Sequence, residues 1–164
     1  MDGGAWNVSL IGGQFLADRT PGKRPDRRRS RRTVLRRGYR GKRILLAEDE
    51  PIKQQLARRL LEDIGLSVDI AADGAQAVRM VEQGDDDLIL MDMQMPEMDG
   101  LEATRAIRHL PGRSALPILA MTANAFADDR EKCIAVGMND FTRKPVEPDV
   151  LFRIWLKWLA LADN

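Results

Sequence analysis

The 164-residue chain has one cysteine (Cys133), one histidine (His109) and no apolar run near the ~18 residues a membrane span requires. A single cysteine excludes an intramolecular disulfide and fits a reducing compartment. Cys133 reads as a small buried hydrophobe rather than a reactive thiol. The N-terminus lacks the positive start and apolar stretch of a secretory signal, so the expected location is the cytoplasm, with no membrane association. His109 sits just before Leu110-Pro111-Gly112 and reads as a C-terminal helix residue favoured by the helix dipole.

The charge is unevenly spread. The formal net charge is +1, yet residues 1–43 hold 13 Lys and Arg against 3 Asp and Glu, and the rest hold 13 against 22. A segment of net +10 therefore precedes one of net −9. Residues 1–41 show no sustained hydrophobic period, and positions 27–32 are almost entirely Arg. This stretch reads as a basic, disordered arm or linker. Such an arm could grip nucleic acid through residues 19–43, but no aromatics interleave its Arg run and no DNA-binding module accompanies it.

From Arg43 the pattern becomes regular. Ile44-Leu45-Leu46-Ala47 is a buried-strand run ending at Glu48, Asp49 and Glu50. Pro51 opens a helix in which Ile52, Leu56, Leu60 and Ile64 recur at spacing four, with Ala57 and Leu61 beside them, as one apolar face. Val68–Ala71 makes a second strand, and Asp73-Gly74 leads into a helix carrying Ala77, Val78 and Val81. Leu88–Met91 is a third strand ending at Asp92, followed by a helix after Asp99-Gly100. Pro117–Met121 is a fourth, ending at Thr122, with a helix from about Phe126 to Val136. Asp140–Thr142 is a fifth, ending near Lys144-Pro145, before a last helix over about Glu147–Leu161. Strict alternation of five strands and five helices predicts an α/β fold: a parallel sheet covered on both faces, over residues 42–162.

In open α/β sheets, ligands bind beyond the carboxyl ends of the strands. Here those ends carry Glu48, Asp49, Asp92, Thr122 and Lys144. Carboxylates gathered in one cleft repel unless a cation sits among them, and Mg²⁺, held by one or two carboxylates with waters and a phosphate, is the natural answer. Lys144 offers a compact positive charge and Thr122 a hydroxyl donor. A carboxylate can act as nucleophile and form an acyl phosphate, a reaction that asks the protein mainly for positioning and charge neutralisation. Asp92, delivered by a central strand, is the candidate nucleophile. Strand ends also carry Asp, Thr and Lys as plain turn and cap residues, so the weight rests on four complementary ends at once.

The runs Ile44–Glu50, Leu88–Gly100 (Leu-Ile-Leu-Met-Asp-Met-Gln-Met-Pro-Glu-Met-Asp-Gly), Ala120–Ala125 and Lys144-Pro145 resemble a response-regulator receiver domain, of the type found in hybrid sensor histidine kinases. The resemblance spans about Gly41 to Ala162. It implies a flavodoxin-like (βα)5 fold with strand order 2-1-3-4-5 and Asp92 as phosphoacceptor in a two-component phosphorelay. It also implies Mg²⁺ bound by Asp49 directly, by Glu48 through water, by Asp92 and by the Gln94 carbonyl. Thr122 and Lys144 would sense and neutralise the phosphoryl group, and Phe141 would be the aromatic switch that moves with Thr122. The implied donor is a sensor histidine kinase or histidine phosphotransfer domain on another chain or on a missing part of this one. The fourth helix, fifth strand and fifth helix would be the output face, a place for a second copy to pair. Gln94 and Asn124 fall where the family tunes phosphoryl lifetime. Lys53 stands where such receivers often carry Asn, and Asp86 where an aromatic is common.

In the last helix Leu151, Ile154, Trp155, Trp158 and Leu159 form a core-facing stripe, with Phe152, Leu156 and Leu161 to one side. Two other functional classes stay open: an idle receiver used as a protein- or nucleic-acid-binding module, and a metal-dependent hydrolase. Related phosphatases want a second Asp two residues beyond the nucleophile, where this chain has Gln94.

Overall fold

The structure, a computed structural model, describes residues 7–11, 14–18, 38–123, 127–143 and 147–162. Five parallel strands form the main sheet: β3 (Arg43–Ala47), β4 (Ser67–Ala71), β5 (Leu88–Asp92), β6 (Ile118–Thr122) and β7 (Asp140–Arg143). Their spatial order is β4-β3-β5-β6-β7, which is order 2-1-3-4-5 among the five. Five helices connect and follow them: α1 (Pro51–Glu62), α2 (Gly74–Gln83), α3 (Gly100–His109), α4 (Ala127–Ala135) and α5 (Pro148–Ala162). The expected flavodoxin-like architecture is present, with boundaries within about two residues of those read from the sequence.

Period-two alternation divides the core. Ile44, Leu46, Leu88, Leu90, Leu119 and Met121 face one side, where Leu61 and Ile64 pack with Leu151, Phe152, Trp155 and Leu159 of α5. Leu45, Ala47, Ile89, Met91, Ile118 and Ala120 face the other, against α2, α3 and Cys133 of α4. The central strand β5 is buried at all five positions, as a strand covered on both faces must be.

Two helix readings change. Ile52 and Leu56 are 83% and 63% exposed, while Leu61 and Ile64 are fully buried. The face of α1 that meets the sheet is therefore set by Ala57 and Leu61 rather than by Ile52 and Leu56. In α5, Phe152 is core, not a flanking line: its ring centroid lies 5.7 Å from that of Trp155, which is wholly buried. Ile154 and Trp158 are half-buried at the margin, and the Trp158 indole donates to Asp140 Oδ2 at 3.0 Å.

Within the stretch read as an irregular arm, β1 (Asn7–Ile11) and β2 (Gln14–Asp18) pair antiparallel, with Ile11 opposite Gln14. The Arg run, and with it most of the nucleic-acid reading for residues 19–43, lies outside the described residues, as does Asn124. No helix among the described residues is long and apolar enough to cross a membrane.

Candidate functional site

The site is assembled from the carboxyl ends of neighbouring strands. Ala47 pairs with Met91, so Glu48 and Asp49 leave β3 beside Asp92 at the end of β5. Ligand-capable oxygens of Glu48, Asp49 and Asp92 lie within 4.8 Å of one another. Glu48 and Asp92 are only 2% and 3% exposed, and Asp49 is more open. Buried carboxylates this close need a cation or a shared proton, and an all-oxygen set suits a hard divalent ion.

Local hydrogen bonds fix the acids. The Glu48 amide donates to the Ala71 carbonyl at 3.0 Å, and the Glu48 carbonyl accepts from Gln54 Nε2 at 2.6 Å. The Glu50 amide donates to Glu48 Oε1 at 3.3 Å, and the Gln94 amide to Asp92 Oδ1 at 3.2 Å. Beyond Asp92 the chain turns back through Glu97, a non-glycine residue at φ 66, until the Gly100 amide reaches the Met93 carbonyl at 3.3 Å. A Cβ on Gly100 would stand 2.5 Å from the Asp92 carbonyl oxygen, so α3 can start this close only on glycine. Asp99 caps that helix by accepting from the Glu102 amide at 2.9 Å.

Asp92 pairs with Met121, which puts buried Thr122 at the adjoining strand end. Thr122 in turn pairs with Arg143 on β7, the residue before Lys144. Lys144 itself lies outside the described residues. Glu48, Asp49, Asp92 and Thr122 thus share one rim, as the strand ends predicted.

A family model described as the response regulator receiver domain matches residues 44–155. The chain belongs to that family. Among curated relatives, the receiver is 45% identical over 128 residues to hybrid signal transduction histidine kinase B of Dictyostelium discoideum, covering 71% of this chain and 6% of that protein. It is 42% identical over 126 residues to the sensor protein GacS of Pseudomonas syringae pv. syringae, covering 75% and 14%. The chain therefore spans a small fraction of the curated relatives it matches. The receiver domain of the sensor histidine kinase PA1611 from Pseudomonas aeruginosa PAO1, solved with magnesium in its active-site cleft, superposes with TM-score 0.69 at 44% identity, covering 73% of this chain and 98% of that one. The receiver domain of Ssk1, solved with the histidine phosphotransfer protein Ypd1 of Saccharomyces cerevisiae, superposes with TM-score 0.70 at 28% identity, over 74% and 91%.

Phe141 on β7 is half-buried, with the Arg130 guanidinium 5.4 Å from its ring centroid. Gln94 is exposed beside the cleft. His109 ends α3, at the end of that helix away from Gly100 and the cleft, its Nδ1 2.7 Å from the Arg105 carbonyl oxygen. Lys53 is paired with Glu50 across 3.1 Å, and this hydrogen bond is the main reason its pKa is raised.

Two charged residues outside the cleft are set by packing. Asp86, preceding β5, is half-buried, and its Oδ1 has no hydrogen-bond partner among the described groups. Desolvation pushes its pKa up to about 6, with Asp69 and Asp87 adding to the rise and Arg43 and Arg113 opposing it. Arg108 at the end of α3 donates to the carbonyls of Gly137, Arg113 and Leu116 and to Asn139 Oδ1, at 2.7–2.9 Å. Asn139 Oδ1 also accepts from the Ile118 amide, so one guanidinium ties together the starts of β6 and β7 and the end of α4.

Proposed function

We propose that this receiver accepts a phosphoryl group on Asp92 from a phosphohistidine carried by a sensor histidine kinase or histidine phosphotransfer domain, in the cytoplasm. The observation that carries the reading is the convergence of Glu48, Asp49 and Asp92 within 4.8 Å at the edge where Thr122 also ends its strand. In the transfer, a carboxylate oxygen of Asp92 bonds to phosphorus as the P–N bond to the donor imidazole breaks, and the imidazole leaves with its electron pair. Glu48, Asp49 and Asp92, with the Gln94 carbonyl, would hold Mg²⁺, which supplies charge neutralisation at the phosphoryl oxygens when bound. The Gln94 amide steadies one Asp92 oxygen and so helps orient the other for attack. Thr122 and Lys144 take the phosphoryl oxygens, and Phe141 responds to the movement of Thr122. The α4–β7–α5 face then carries the signal, to a downstream protein or a second copy.

Incubation with Mg²⁺ and acetyl phosphate, read by intact mass, tests this. One added phosphoryl group is expected, lost in Asp92→Asn and lost on chelation. A group that persists in Asp92→Asn would refute the assignment of the nucleophile.

A further inference from the structure

The cleft gathers acids where an anionic donor must approach. Glu48, Asp49 and Asp92 converge, and Glu50 stands next in the chain, its amide on Glu48 Oε1. Three carboxylates outweigh one divalent cation, and a phosphodonor dianion brings two more negative charges to the site. The first turn of α1 is bound to the acid loop by the hydrogen bond from Gln54 Nε2 to the Glu48 carbonyl. That turn carries Lys53, whose ammonium lies 3.1 Å from Glu50 Oε2 and is half-exposed. The fields of Glu48 and Asp92 also reach it.

An exposed i,i+3 ion pair of this kind adds little to stability. Its place beside a cleft with excess negative charge gives it another use, because a fixed cation at such a mouth raises the local concentration of anionic ligands. We infer that Lys53 is a positioning residue for anionic phosphodonors: held on Glu50 at the first turn of α1, its ammonium offsets the acid excess at the mouth and speeds the approach of the donor to Asp92. This rests on the reading of Asp92 as phosphoacceptor. Glu50 sets the opposing charge, so the two residues together tune the rate.

The test compares wild type with Lys53→Asn, Lys53→Arg, Glu50→Gln and the Lys53→Asn/Glu50→Gln double variant. Phosphorylation rates are measured with Mg²⁺ across donor concentrations, at low and high salt. The donors are acetyl phosphate, a dianion near neutral pH, and phosphoramidate, which carries less net charge. With acetyl phosphate at low salt, Lys53→Asn is expected to be slower by about 3- to 10-fold, the scale of one surface charge acting across a site. The loss should sit in the donor-concentration dependence rather than the plateau rate, be smaller with phosphoramidate, and shrink as salt screens it. Lys53→Arg should keep the wild-type rate. Glu50→Gln should be faster than wild type, and the double variant should lie between the single ones. A purely structural ion pair predicts instead that Lys53→Asn and Glu50→Gln move in the same direction, and that result would overturn the inference. So would equal effects on both donors. A wild-type chain that takes no phosphoryl group from either donor overturns the Asp92 reading as well, which separates the two failures.

Discussion

Replacing Asp86 with Asn should make the protein more stable above neutral pH and remove part of its pH dependence. Asp86 has a folded-state pKa of about 6 against 3.8 for the free side chain, driven first by burial. The folded state therefore holds its proton more tightly than the unfolded chain. The stability linked to that proton is fully present below about pH 4 and is lost as pH rises through about 6. A rise of this size corresponds to about 3 kcal/mol for a fully shielded group. Asp86 is only half-buried and faces Arg43 and Arg113, so solvent screening lowers the expected figure to about 1–2 kcal/mol. Urea denaturation of wild type and Asp86→Asn at half-unit steps from pH 4 to 8 measures it. The two should be close near pH 4, and the variant should gain between about pH 4 and 6 and hold its lead above that. The two proteins differ at this residue alone, so the difference curve reports Asp86 and the charges coupled to it. Parallel stability curves across pH 4–6 would refute the assignment of a raised pKa to this residue.

Three further outcomes follow from the packing. Arg108→Met strips hydrogen bonds from three carbonyls and from Asn139 and should cost about 2–4 kcal/mol in chemical denaturation, with faster amide exchange at Ile118 and Asn139. Gly100→Ala drives a methyl group against the Asp92 carbonyl, so it should cost at least ~2 kcal/mol and slow phosphorylation by displacing the Asp92 backbone; a wild-type rate and stability would show that the loop gives way freely. Ile52→Ser and Leu56→Ser should each change stability by less than about 0.5 kcal/mol, while Leu61→Ala costs about 2–5, because only Leu61 is buried.

The burial of the α1 positions shows where sequence and tertiary structure divide the work. The alternation of strand and helix, the parallel sheet and the row of Glu48, Asp49, Asp92 and Thr122 were all legible, because a doubly covered strand must be a short apolar run and the residue after it must emerge at the sheet's edge. The pairing of Asn7–Ile11 with Gln14–Asp18 has its signal in the sequence, because Gly12-Gly13 between two apolar-containing runs is a two-residue turn pattern. The face α1 turns to the sheet was not legible. Ile52, Leu56, Ala57 and Leu61 offer two apolar stripes about one residue apart, and only docking on β3 and β4 selects between them. Nor could the sequence rank Arg108 above its many charged neighbours, and it marked Asp86 as a departure from the family pattern without showing how far its pKa rises. Their partners lie up to 31 residues away for Arg108, and for Asp86 the deciding factor is the water removed by surrounding chain. Local periodicity thus determined which elements form and where their chemistry emerges. Only three-dimensional packing decided which side chains lose solvent, since desolvation depends on neighbours brought in from distant parts of the chain.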